Sequence, residues 1–94
     1  MDKAMRRYMA SAVAEEIKTE IDFGEEAFGP FHSLHEGIAI LREEVLELEN
    51  EVFWSEDKAQ TESVRKEAIQ VAAVATRIVM MVSPVPITVP EVKR

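Results

Sequence analysis

The chain reads as all-α: a three-helix protomer with a central antiparallel hairpin, forming a helical bundle by oligomerisation. Three observations predict this. Leu34, Ile38, Leu41, Val45, Leu48 and Val52 step by 4, 3, 4, 3, 4, which lays an apolar seam along one side of a helix. Val64, Ala68, Val71, Ala75, Ile78 and Val82 repeat the same steps, and a short polar connection between the two runs lets the seams pack together. Only three Gly and four Pro, with abundant Ala, Glu, Val and Ile, favour helix over sheet.

The first helix is expected over Asp2–Asp22, where Met5, Met9, Val13, Ile17 and Ile21 step by four and wrap slowly across a neighbour. Its methionines suit adaptable core or interface packing. From Phe23 to His32, Gly24 and then Gly29-Pro30 are expected to interrupt any helix. Phe23, Phe28 and Phe31 in that stretch either plug the open end of the hairpin or offer a stacking surface for a nucleotide base.

Ser33-Leu34-His35-Glu36 forms a capping box, so the second helix starts near Leu34 and runs to Trp54. It carries a second apolar stripe, Ala39, Leu46 and Phe53, which needs either the first helix or a second subunit beside it. Gly37 either admits a close approach or is a weak spot in the helix. Ser55 to Gln60 is the polar connection, with Asp57 and Gln60, or Thr61, as caps for the third helix. That helix is apolar nearly all round at Val71–Ala75, which predicts a buried central position and, in so short a chain, subunit association, as a homodimer or homotetramer. Beyond it, residues 82–94 form an extended tail whose prolines exclude helix.

At 94 residues the chain is a single domain over 1–94, small enough to leave much of its surface exposed unless it oligomerises. A net charge of −7 argues against nucleic-acid binding, since phosphate backbones are held by clustered Lys and Arg. With no Cys there is neither a disulfide framework nor a thiolate site. Neither a signal peptide nor a membrane span is legible, so a cytoplasmic protein without membrane contact is expected.

With the seams taken as a and d of a heptad, Glu44 and Glu51 fall at g and Glu47 at c on the second helix, and Glu67 at g and Gln70 at c on the third. Antiparallel helices bring g to g on one side. With the turn centred near Asp57, Glu44 comes level with Gln70, and Glu47 with Glu67. Either these acids belong to a solvated face, or they form a repelling cluster that a hard divalent cation would relieve.

Glu44-Val-Leu-Glu47 and, after the 19 residues 48–66, Glu67-Ala-Ile-Gln70 resemble the paired ExxE and ExxD motifs of the MazG-like, all-α nucleoside triphosphate pyrophosphohydrolases. The strings His35–Gly37, Leu41–Leu48 and Lys66–Ala73 are similar to phage and bacterial members. The resemblance covers roughly residues 31–82. Gln70 departs from the motif's Asp, giving a carbonyl ligand without charge. The resemblance implies hydrolysis of a ribo- or deoxynucleoside triphosphate to the monophosphate and pyrophosphate. It further implies Mg²⁺, or Mn²⁺, on Glu44, Glu47, Glu67 and Gln70, with Glu43 or Glu47 as general base. Arg77 is expected either to reach substrate phosphates or to pair with a Glu of the second helix. His35 is expected either at the cap or against substrate, while Arg65 and Lys66 are expected in solvent. The competing reading is a non-catalytic helical interaction protein.

Overall fold

The computed structural model describes residues 1–56 and 60–84. They form three helices, α1 (Lys3–Phe28), α2 (Leu34–Phe53) and α3 (Gln60–Val82). Asp57 and the tail from residue 85 lie outside the described residues, and so do the cap and the extended segment expected there. No described helix is long and apolar enough to cross a membrane.

α1 starts at Asp2, whose carboxylate accepts the Met5 N–H at 2.8 Å. The expected break at Phe23 is absent: the helix runs through Gly24 to Phe28 and stops only at Gly29, which takes φ +75° and donates its N–H to the Glu25 carbonyl. Gly24 costs about 1 kcal/mol relative to Ala in a helix, but its bare backbone has a use. A Cβ there would lie 3.2 Å from Nη1 of Arg77, which crosses the helix at this point.

α2 opens on the Ser33 hydroxyl, which accepts the Glu36 N–H at 3.1 Å; the Glu36 carboxylate pairs with His32 Nδ1 at 2.8 Å. At its other end, the Gln60 side chain donates to the carbonyls of Glu51 and Val52 at 3.0 and 3.1 Å, so the first residue of α3 caps the last turn of α2. Thr61, proposed as a cap, lies inside α3.

α3 is the central element. It packs against both α1 and α2, while α1 and α2 do not pack against each other. Ala73 and Val74 are buried along it, as the apolar run at Val71–Ala75 predicts, and so is Arg77, which lies beyond that run. The radius of gyration, 15.7 Å, exceeds the roughly 12 Å of a compact chain of this length, which fits a trough with α3 as floor.

The seam on α2 is covered only in part. Leu41, Val45 and Leu48 are half-buried, whereas Leu34, Ile38 and Val52 are exposed. Gly37 explains the rotation: its missing side chain admits Ile78 and Phe31, whose atoms lie 3.1 and 3.2 Å from where a Cβ would stand. The helix is thereby drawn toward α3 on its Gly37, Ile40 and Glu44 side. On α1 only the second half packs, with Ile21 buried and Met5 and Met9 exposed. Among the three phenylalanines Phe31 alone is a core plug, while Phe23 and Phe28 are 62% and 82% exposed.

Candidate metal centre

Each acid of interest is placed by its helix. Glu44 and Glu47, one turn apart on α2, and Glu67 on α3 offer carboxylate oxygens that all lie within 4.8 Å of one another. Glu44 and Glu67 are half-buried and Glu47 is exposed. Partial burial pushes the Glu44 carboxyl above its ordinary range, and the neighbouring charges of Glu47 and Glu67 push it further. Glu67 is raised likewise, by burial first and then by its hydrogen bond to Glu47 and that group's charge, with Lys66 opposing. The register that levels Glu47 with Glu67 is therefore met in space. Glu43 is exposed beside the cluster, close enough for its charge to raise Glu44.

Such a donor set suits a hard cation. Three carboxylates from two helices hold negative charge together at an energetic cost, and a divalent ion with oxygen preference would remove that cost.

Gln70 takes a different partner from the one the register suggests. Its Nε2 donates to Glu20 of α1 at 2.6 Å, although Gln70 and Glu44 both line one hollow of about 220 Å³. The Gln70 amide nitrogen is thus tied to α1, and the carbonyl oxygen is the one atom of this side chain able to coordinate a cation.

Arg77 is 7% exposed. Its Nε donates to Glu25 at 3.0 Å, its Nη2 donates to the Gly29 carbonyl at 2.9 Å, and its guanidinium lies 3.9 Å above the Phe31 ring. The expected ion pair with α2 is therefore formed with α1. Arg77 lines the hollow that Glu44 also lines, but a phosphate would compete there with Glu25. Arg65 is exposed, as expected, and is in addition held bidentately by Glu16 of α1. His35 is exposed and lines a shallow depression with Leu34, Ile38 and Ile78, which shares no residue with the hollow at Glu44.

Sequence reasoning missed the acids of α1. Glu16, Glu20 and Glu25 meet Arg65, Gln70 and Arg77 in turn, so α1 and α3 run in the same direction. The available signal was the pair Glu16 and Glu20, one turn apart beside the Ile17 and Ile21 stripe. Compared with known proteins, the chain matches no family model, no curated protein and no solved structure.

Proposed function

We propose that this chain is a metal-dependent nucleoside triphosphate pyrophosphohydrolase of the MazG-like kind, working in the cytoplasm as a homodimer or homotetramer. α2 and α3 serve as its antiparallel hairpin. What supports this is the convergence of Glu44, Glu47 and Glu67 from two helices, at the positions where the resemblance implies metal ligands.

Glu44, Glu47 and Glu67 would hold Mg²⁺ or Mn²⁺, with the Gln70 carbonyl as the uncharged fourth donor. When bound, the ion neutralises charge on phosphate oxygens and acidifies a water molecule. Glu43, exposed at the edge of the cluster, would orient a water as general base, with Glu47 the alternative. Attack at the α-phosphorus breaks its bond to the bridging oxygen, releasing nucleoside monophosphate and pyrophosphate. Arg77 acts as a positioning residue, since Glu25, Gly29 and Phe31 already fix its guanidinium.

The test is pyrophosphate release from a panel of ribo- and deoxynucleoside triphosphates with Mg²⁺ or Mn²⁺, with Glu67→Gln as the inactive control. Turnover that disappears in Glu67→Gln supports the enzyme. No turnover with any nucleotide, together with no thermal stabilisation by either ion, supports the second reading, a helical interaction protein. One observation favours that second reading: Leu46, Phe53 and Trp54 stay 56%, 71% and 79% exposed, with no helix among the described residues to cover them.

A further inference from the structure

We propose that the hollow between the end of α1 and the first half of α2 is the nucleoside subsite, with Phe23 and Phe28 stacking on the base. This rests on the nucleotide reading above and adds the place and the contacts of the nucleoside.

Phe23 and Phe28 lie in the last two turns of α1, the part that was expected to be loop, and both line the hollow while remaining 62% and 82% exposed. A phenyl ring with a bare face is a stacking platform for any base. Helical geometry, the Gly29 cap and the Arg77–Glu25 pair fix the backbone that carries the two rings before a ligand arrives. Phe31, with Arg77 over its ring, closes the inner wall.

The volume, about 220 Å³, is below the roughly 300 Å³ at which drug-sized pockets begin, and fits one base with part of its sugar. Glu44 belongs both to this hollow and to the carboxylate cluster. A nucleotide whose phosphates sit at the cluster therefore has its nucleoside end beside Phe23 and Phe28. The hydrogen-bonded Glu20 and Gln70 lie on the same wall and offer polar groups to the base edge.

The experiment is calorimetric titration of the full chain in Mg²⁺ with a non-hydrolysable nucleoside triphosphate analogue and, separately, with inorganic tripolyphosphate. Stacking should make the wild-type chain bind the analogue on the order of tenfold to a hundredfold more tightly than tripolyphosphate. The double variant Phe23→Ala, Phe28→Ala should lose that preference and keep its tripolyphosphate affinity. Phe23→Tyr with Phe28→Tyr should retain the preference. Both side chains are exposed, so thermal unfolding of the variants should match the wild type. Equal binding of the two ligands by the wild type overturns the subsite, as does a double variant that still prefers the analogue. An alanine variant that changes the oligomer's mass with no change in analogue affinity assigns the rings to a chain–chain contact and also overturns it. Failure of the wild type to bind either ligand overturns the nucleotide reading itself.

Discussion

The two sides of α3 are held by opposite electrostatics. Toward α1, three polar groups of α3 meet complements: Arg65 meets Glu16, Gln70 meets Glu20, and Arg77 meets Glu25. Toward α2, Glu67 meets Glu47 and Glu44, where partial burial first and like charge second raise the Glu44 and Glu67 carboxyl pKa values. One interface is built for cohesion. The other keeps a repulsion between acids, the feature on which the proposed cation site rests.

The largest expected effect breaks the cohesive side. Arg77→Met should destabilise the chain by about 3 kcal/mol in urea unfolding, because it leaves Glu25 and the Gly29 carbonyl without their donor and removes the cation from the Phe31 ring. Arg77→Lys should fall between, since an ammonium cannot reach both acceptors with a planar fork. Next is Gly29→Ala, expected to cost about 1 to 2 kcal/mol because φ +75° strains any residue with a Cβ. A smaller loss there would mean that the α1 cap yields without disturbing Arg77.

These expectations also show how the sequence carries information unevenly. The acids of α2 and α3 were legible because both lie on helices joined by a short connection, so counting outward from the turn fixes which residues come level. The course of α1 was not legible, since its partners lie 49 to 52 residues away and no short connection sets the register. Gln70 was therefore paired with Glu44 instead of Glu20. Gly24 misled for a related reason. A glycine reads as a helix break from neighbours alone, and only the remote Arg77 shows why the helix keeps it. Gly37, by contrast, reads from sequence either as a point of close approach or as a weak spot in the helix, and the side chains of Phe31 and Ile78 come close to where its Cβ would stand.

On the repulsive side, Glu67→Gln should leave the metal-free chain as stable or more so, by up to about 1 kcal/mol, since it removes a charge from a half-exposed cluster. If the proposed site holds Mg²⁺ or Mn²⁺, millimolar ion should stabilise the wild type thermally beyond an ionic-strength control, and the same variant should lose that gain. A Glu67→Gln chain that is less stable without metal would show that the cluster supports the fold, and the contrast between the two sides would fail.

The smallest effect sharpens that contrast through pH. A carboxyl whose folded pKa is raised takes up its proton sooner in the folded chain. Glu44 and Glu67 should therefore add stability as pH falls from neutral through their raised values toward the ordinary carboxylate range, a gain of a few tenths of a kcal/mol. Glu16 is lowered by its hydrogen bond to Arg65, so its contribution is present above the ordinary carboxylate value and is lost as pH falls through the lower folded one. The two sides of α3 thus respond to acid with opposite signs. Unfolding followed between about pH 7 and pH 4 should show the mild gain in the wild type and in Arg65→Ala, and no gain in the double variant Glu44→Gln, Glu67→Gln. If the double variant kept the gain, the proton uptake would belong to other carboxyls, and the raised acids between α2 and α3 would no longer distinguish that interface from its neighbour.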